Sequence, residues 1–142
     1  MSERNKYHRE RDEELTQLYC DLYDKIKPRH IDKRRKVALT TAIKLGSAHY
    51  EVSFERAYII VPKILKGKEV KFRSKPIELM WREIACKTAF IMQTCHLSIA
   101  KSLEIVLMNC RSSQFYISQP QAWLRIKREL RRMRVNRKYG RN

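Results

Sequence analysis

Glycine and proline are scarce in this chain. Its 142 residues include only 3 Gly and 4 Pro, whereas 43% of the residues are hydrophobic and 33% are charged. A composition so poor in turn-forming residues argues against a disordered segment and against a β-sandwich with its many tight turns. The chain has about the length of one average domain or two very small ones. We therefore expect a helical protein with a shared core.

The cysteines lack the paired spacing of metal and redox sites, because no C-x-x-C pair occurs among Cys20, Cys86, Cys95 and Cys110. We expect reduced thiols and no metal or other cofactor. The N-terminus has no apolar targeting segment, and the longest apolar runs are far shorter than the ~20 residues of a membrane span. These absences predict a soluble, intracellular chain that does not enter a membrane.

Sequence motifs of catalysis are also missing. The chain contains no G-x-x-x-x-G-K-[ST], G-x-S-x-G or H-E-x-x-H motif. The four histidines, His8, His30, His49 and His96, are scattered along the sequence and form no ligand pattern. We therefore expect that the protein is not an enzyme and that it has no small-molecule substrate.

Acidic residues are greatly outnumbered, with 15 Asp and Glu against 32 Lys and Arg, which gives a formal net charge of +17. Such an excess indicates a polyanionic partner, either nucleic acid, an acidic membrane surface or an acidic protein. Three segments carry the charge: 25–36 has seven basic residues and one acid, 63–75 has six and one, and 125–142 has nine and one. Each segment lies at or beside a predicted helix end, so several patches are available to one long polyanion.

One motif occurs twice, 65 residues apart, as SAHYEVSFERAY over 47–58 and as SSQFYISQPQAW over 112–123. The copies align a serine, an aromatic residue, a second serine and an alanine: Ser47 with Ser112, Tyr50 with Phe115, Ser53 with Ser118 and Ala57 with Ala122. Two copies at a fixed spacing indicate one supersecondary unit used twice, since a solenoid generally needs at least three.

Helical spacing of apolar residues predicts three helices in the first half. The first runs over 12–27 and is ended by Pro28. The second begins near Asp32 and ends at Gly46, and the third is capped by Ser53. Pro62 lies inside the third helix, where we expect it to kink or shorten that helix.

The second half predicts three more helices. In the first copy of the motif apolar and polar residues alternate, as they do in a strand. The second copy has apolar residues at helical spacing and carries Pro120 in the first turn of its helix, and we therefore predict a helix in both copies. The fourth, fifth and sixth helices begin after Ser74, Ser98 and Ser118.

The predicted fold is therefore all-α, with two tandem three-helix units of helix-turn-helix type packed together. The first unit spans 1–66 with a basic N-terminal arm, a basic linker spans 67–75, and the second unit spans 76–142 with a basic C-terminal extension. In each unit Tyr50 or Phe115 plugs the space between the second and third helices. The joining turn is longer than the about 3–4 residues of the standard motif.

The repeated motif resembles one found in small basic proteins of bacterial prophages and mobile elements. In those proteins a three-helix unit, often present twice, carries a signature close to P-A-P-R-F-Y-[VIL]-S-x-x-x-A. Both prolines of the signature are absent here, and His49 or Gln114 stands near its arginine. The matching residues are Ser47, Ala48, Tyr50, Val52, Ser53 and Ala57, and Ser112, Phe115, Tyr116, Ile117, Ser118 and Ala122. The resemblance implies a phage or mobile-element origin and a duplicated unit, and it assigns no site.

The charge pattern predicts a protein that binds double-stranded DNA through two helix-turn-helix-like units, with DNA favoured over RNA. We expect base contacts from the third helix of the second copy, since Gln and Arg make bidentate contacts with adenine and guanine. We expect phosphate contacts from the basic run 33–36. The predicted contact residues are Lys33, Arg34, Arg35, Lys36, Arg56, Lys63, Gln119, Gln121, Arg125, Arg128, Arg131 and Arg132.

Two alternatives use the same charges. The protein could be a structural or interaction component of a phage particle, against packaged DNA or larger subunits, with an acidic protein partner or a homo-oligomer. It could instead be an accessory factor for RNA or single-stranded DNA, with bases stacking on Tyr7, Phe72, Tyr116 and Tyr139. The expected location is the bacterial cytoplasm, or the particle if the role is structural.

Overall fold

The protein is all-α. A computed structural model describes residues 3–26 and 31–138, with side chains for 9–26 and 33–134. The six helices are α1 (Glu3–Lys25), α2 (Ile31–Lys44), α3 (Phe54–Leu65), α4 (Lys75–Cys95), α5 (Ile99–Asn109) and α6 (Gln119–Lys138). No strand occurs among the described residues. The number and order of the predicted helices are confirmed.

Serine side chains begin four of these helices, as the sequence predicts. Each hydroxyl accepts a hydrogen bond, 3.2–3.5 Å long, from the backbone N–H three residues later. The four serines are Ser53, Ser74, Ser98 and Ser118. The bond satisfies one of the four N–H groups that a helix leaves without a partner at its start. These caps fix where α3, α4, α5 and α6 begin.

Helix α1 begins at Glu3, nine residues before the predicted start. Residues 3–11 are polar and carry no apolar stripe, and so the stripe criterion misses them, although Glu, Arg and Lys favour helices. The expected basic N-terminal arm is therefore helical from Glu3. Pro28, predicted to end α1, and the Asp32 side chain, predicted to cap α2, lie outside the described residues.

The last turn of α3 contains Pro62, and the helix ends three residues later at Leu65. Gly67 follows with a φ of 74°, the left-handed conformation that glycine adopts without strain, and its N–H donates to the Ile64 carbonyl at 3.0 Å. The helix thus continues past Pro62 to Leu65, and a kink or shortening caused by this proline stays a prediction.

Packing groups the helices differently from the predicted units. Unit 1 consists of residues 1–47 and 113–142 and contains α1, α2 and α6, whereas unit 2 consists of residues 48–112 and contains α3, α4 and α5. Helix α6 packs on α1 and α2, and α3 packs on α4 and α5. The third helix of each copy thus packs with the first two helices of the other copy.

This exchange corrects the predicted division into 1–66 and 76–142. The connections 45–53 and 110–118 are longer than the turn of a compact helix-turn-helix, which permits the third helix to leave its own copy. The basic segment 67–75, predicted as a linker between units, joins α3 to α4 inside unit 2.

The core of unit 1 is apolar and draws on all three of its helices. Phe115, from the second copy of the motif, is 1% exposed, and its N–H donates to the Ile43 carbonyl at 2.8 Å. The phenyl ring thus fills a core built by helices of the first copy. The other buried members of this cluster are Leu15, Tyr19, Ala38, Leu39, Ala42, Ala122 and Ile126.

The core of unit 2 includes a polar network around the aligned aromatic residue. Tyr50 is 3% exposed; its hydroxyl donates to Glu83 and accepts from Lys87 Nζ at 2.7 Å. Lys87 Nζ also donates to the Arg111 carbonyl at 2.7 Å. The apolar part of this core is Ala57, Ile60, Val61, Trp81, Ile84, Ala85, Leu103 and Val106.

Candidate nucleic-acid interface

Helix α6 separates its residues into an inner and an outer side. Ala122, Ile126 and Glu129 are buried, at the three- and four-residue spacing of one helix face. Four basic residues of the opposite side are exposed: Lys127, Arg128, Arg131 and Arg134. Their spacing of one, four and seven residues places them along one side over two turns. Arg128 and Arg131 are predicted contact residues. Lys127 and Arg134 are not among the predicted residues, and their exposure on the same side of the helix identifies them.

Helix α2 presents a second basic side in the same unit. Ala38, Leu39 and Ala42 face the core, and Lys33 and Lys36 are exposed. These lysines are one turn apart and lie on one side of the helix. Both belong to the basic run for which phosphate contacts are predicted.

The indole of Trp123 connects the two basic sides. The Arg35 guanidinium carbon lies 4.7 Å from the ring centroid, and Lys127 Nζ lies 5.8 Å from it. Both distances are within the range of cation–π attraction. One aromatic ring therefore holds a cation of α2 and a cation of α6 next to each other. Sequence spacing places Lys127 one turn after Trp123, but it gives no sign of the contact with Arg35.

The predicted residues Gln119 and Gln121 are exposed at the start of α6. Gln119 Nε2 donates to the Thr40 hydroxyl at 3.4 Å, which joins the start of α6 to the C-terminal part of α2. Since Arg35 lies beside Trp123, α2 runs in the opposite sense to α6 along this contact. The exposed residues of the two helices therefore form one continuous surface.

Arg34 is directed inward, unlike its neighbours in the basic run. Its Nε donates to the Tyr23 carbonyl at 2.8 Å, and its guanidinium carbon lies 4.0 Å from the Tyr23 ring centroid. Arg34 thus fastens α2 to the end of α1. Its predicted phosphate contact stays a prediction, and the structure adds that the guanidinium is engaged with Tyr23.

Arg125, predicted to contact bases, lies on the side of α6 that faces α1. Its Nη1 is 3.3 Å from Asp12 Oδ1, and 24% of its side chain is exposed. Burial lowers the pKa of the Arg125 guanidinium, and the nearby charge of Arg128 lowers it further. A base contact by Arg125 would require breaking this ion pair, so its predicted base contact stays a prediction with a structural cost.

Arg132, another predicted contact residue, is also paired within unit 1. Its Nη2 lies 2.9 Å from Glu129 Oε2 and 3.1 Å from Glu13 Oε1. The hydrogen bond that Arg132 donates to Glu129 raises the pKa of the Arg132 guanidinium. Arg132 therefore serves the contact between α1 and α6, and the exposed Arg131 is the better candidate for a phosphate.

The ion pairs between α1 and α6 enclose Asp12. Burial and, to a smaller extent, the neighbouring charge of Glu129 raise the pKa of the Asp12 carboxyl from 3.8 to about 6. Arg128 opposes this shift, and the guanidinium groups of Arg125 and Arg11 lie 3.3 and 3.4 Å from the carboxylate. Proton uptake by this carboxyl therefore depends on whether unit 1 is folded.

The predicted contacts of the first copy, Arg56 and Lys63, are exposed on α3 and hence belong to unit 2. Ile59, one helical turn from each of them, is an exposed apolar side chain. The predicted contact residues are thus divided between the two units.

Two of the four aromatic residues proposed as stacking platforms have described side chains, Phe72 in unit 2 and Tyr116 in unit 1. Phe72 and Tyr116 are half-buried, and the Tyr116 hydroxyl lies 3.1 Å from the Ser113 hydroxyl. The Tyr7 side chain and Tyr139 lie outside the described residues. The ring of Trp123 lies within cation–π distance of Arg35 and Lys127.

Other potential chemistry on the described residues is limited. Cys86 and Cys95 are exposed and Cys20 and Cys110 half-buried, all as free thiols. Within ranges 3–26 and 31–138 no group of three or more His, Cys, Asp or Glu is arranged to hold a metal ion. No single helix of the described chain has the length and apolarity to cross a membrane; only the bent pair α4 and α5, at 119°, meets these requirements together.

Comparison with models of known protein families, with curated proteins and with solved structures found no match.

Proposed function

We propose that the protein binds nucleic acid, with double-stranded DNA favoured, through the basic face of unit 1, which consists of Lys33, Arg35, Lys36, Lys127, Arg128, Arg131 and Arg134. The observation that carries this proposal is the arrangement of Arg35 and Lys127 on the ring of Trp123. It holds cations from two helices side by side on the surface. Unit 1 also has 21 basic and 9 acidic residues, a net charge of +12, out of the +17 of the chain.

In this proposal the phosphates of one duplex contact α2 and α6 together. The row from Lys127 to Arg134 extends over about 10 Å at ~1.5 Å per residue. Its charges displace counterions from DNA, which makes affinity fall steeply as salt is added. A helix of roughly 10–12 Å diameter fits the major groove, which is ~12 Å wide.

Base recognition is assigned to Gln121 and Gln119 at the start of α6, since an exposed glutamine can bind an adenine edge in bidentate fashion. Arg125 and Arg132 are left out of the contact set because they are paired with acids of α1. With so few side chains available for bases, most of the affinity comes from phosphates and depends weakly on sequence. A duplicated unit of this kind accords with a phage or mobile-element origin and a bacterial cytoplasmic location.

The test is fluorescence anisotropy of the full chain with labelled duplex DNA, single-stranded DNA and RNA of equal length, over a range of salt concentrations. The variant Arg128→Ala/Arg131→Ala removes two charges from the basic face, and Arg56→Ala/Lys63→Ala removes two charges from α3. Only the first should reduce the slope of log affinity on log salt, by about 2.

Equal losses in the two variants would mean that net charge, and not this face, determines binding. Stronger binding of RNA or single-stranded DNA would favour the accessory-factor alternative. Absence of binding to all three polymers at low salt would contradict the proposal and direct attention to an acidic protein partner.

A further inference from the structure

The outer side of α3 exposes three large apolar side chains. Phe54 is 41% exposed, Tyr58 is 46% exposed and Ile59 is 53% exposed. Phe54 and Tyr58 are one turn apart, and their rings stack with 5.8 Å between centroids and 17° between planes. Single exposed apolar residues are common, but several on one side of one helix mark an interaction surface.

Two of the three aligned positions of α6 do not share this character. Gln119 takes the place of Phe54, and Trp123, in the place of Tyr58, packs on Tyr19 with 5.7 Å between centroids. Leu124, in the place of Ile59, is 48% exposed. The side of α3 therefore exposes two aromatic rings where the same motif in α6 has a glutamine and a packed tryptophan. The internal packing of the three-helix unit does not explain this difference.

The charges around this surface determine its occupant. Arg56, Lys63 and Lys66 are exposed on or directly after α3, and Glu55 is the single acid of the helix. If a second copy of this chain bound through the same surface, the basic residues of the two chains would face one another, and each chain has a net charge of +17. A partner with acidic residues beside its apolar ones is complementary in both respects.

A nucleic acid fits the surface less well than a protein does. Ile59 offers no ring for a base to stack on, and the two aromatic rings stack on each other. Apolar side chains at one-turn spacing instead match the apolar stripe of a helix.

We propose that the outer side of α3, formed by Phe54, Tyr58 and Ile59 with Arg56 and Lys63, docks an acidic amphipathic helix of a protein partner. The apolar stripe of that helix covers the exposed rings and Ile59, and its acidic residues pair with Arg56 and Lys63, which lie one helical turn from Ile59. This proposal is independent of nucleic-acid binding by unit 1, so either can fail alone.

The test uses a labelled synthetic peptide of about 18 residues, long enough to form a helix, with Leu at helical spacing and Glu at most other positions. A control peptide has the same composition in an order that breaks the stripe. We expect the striped peptide to bind the full chain at least tenfold more tightly than the control peptide. Phe54→Ser/Tyr58→Ser should abolish that preference, and Arg128→Ala/Arg131→Ala should retain it.

Both substituted positions are exposed, so the Phe54→Ser/Tyr58→Ser variant should keep its helical circular dichroism and its affinity for duplex DNA. Equal binding of the two peptides would overturn the proposal, since charge alone would then account for it. A dimer in sedimentation that the double serine variant disperses would assign the surface to a second copy. If single-stranded DNA displaced the peptide, and the double serine variant bound both the peptide and single-stranded DNA more weakly, the surface would be assigned to nucleic acid.

Discussion

The two units place the same motif in opposite environments. In unit 1 the aromatic residue is Phe115, which needs no hydrogen-bond partner and lies in an apolar cluster. In unit 2 it is Tyr50, whose hydroxyl bonds to Glu83 and Lys87. The shared geometry of the motif is therefore compatible with two chemically different cores.

The surfaces differ as well. Unit 1 has a net charge of +12, whereas unit 2, with 11 basic and 6 acidic residues, has +5. The outer side of α6 carries four exposed basic residues, whereas α3 exposes Phe54, Tyr58 and Ile59 together with Arg56 and Lys63. The two copies of the motif therefore share a buried aromatic residue and a buried alanine, while the two units expose different side chains.

The largest expected effect is on the core of unit 1. Replacing Phe115 with Ala removes a ring that is 1% exposed, and such a cavity costs about 3–5 kcal/mol of unfolding free energy. The chain has two tryptophans, Trp123 in unit 1 and Trp81 in unit 2, so each unit has its own fluorescent reporter. Urea titration of Phe115→Ala in a Trp81→Phe background should show a large drop in the midpoint.

The matched measurement follows Trp81 in a Trp123→Phe background. There the midpoint should move much less, because the substitution lies in the other unit. Equal shifts of the two reporters would show that both units unfold as one cooperative block, which would break the comparison at the level of stability.

A smaller effect is expected from exchanging the two aromatic residues. Phe115→Tyr places a hydroxyl in an apolar cluster and should cost about 1–3 kcal/mol. Tyr50→Phe removes the hydrogen-bond partner of Glu83 and Lys87 and should cost ~1 kcal/mol. The two costs should add in the double variant, as for distant sites. A neutral Phe115→Tyr would mean that the core of unit 1 supplies a partner or admits water.

The sequence predicts the helices better than their packing. Helix order, the serine caps and the buried alanines at 57 and 122 follow from spacing and capping chemistry, which are local. The exchange of third helices is not local, because α3 and α6 have similar buried faces and either could pack on either pair. It involves contacts such as Arg125 with Asp12 and Tyr50 with Glu83, across 113 and 33 residues.

For the candidate site, too, the sequence predicts the position of a residue on its helix but not its contacts with other helices. Lys33, Lys36, Arg128 and Arg131 are exposed as predicted, since their helical positions follow from the apolar stripe. Arg34, Arg125 and Arg132 have internal partners, which no charge count detects. Trp123 was predictable as an amphipathic position of α6, but its contact with Arg35 depends on the packing of α2 against α6.

An effect of similar size to the aromatic exchange is a pH dependence confined to unit 1. The pKa of Asp12 rises from 3.8 to about 6 in the folded chain through burial and the charge of Glu129. The folded state therefore holds a proton between pH 4 and 6 that the unfolded state has released. The resulting stability is fully present below about pH 4 and is lost as pH rises through 6.

The charged groups that face Asp12 are Arg11 and Glu13 of α1 and Arg125, Arg128 and Glu129 of α6. Allowing for these charges and for solvent at the edge of the cluster, we expect roughly 1–2 kcal/mol. Asp12→Asn keeps the shape and removes the titration. As pH rises from 4.5 to 7.5, the free energy of unfolding of the variant should increase relative to that of the unsubstituted chain when unfolding is followed by Trp123 fluorescence. The same difference should stay constant when unfolding is followed by Trp81 fluorescence. A gain of the same size at both reporters would show that the pH dependence belongs to the whole chain, and no gain at Trp123 would show that the arginines keep Asp12 ionised.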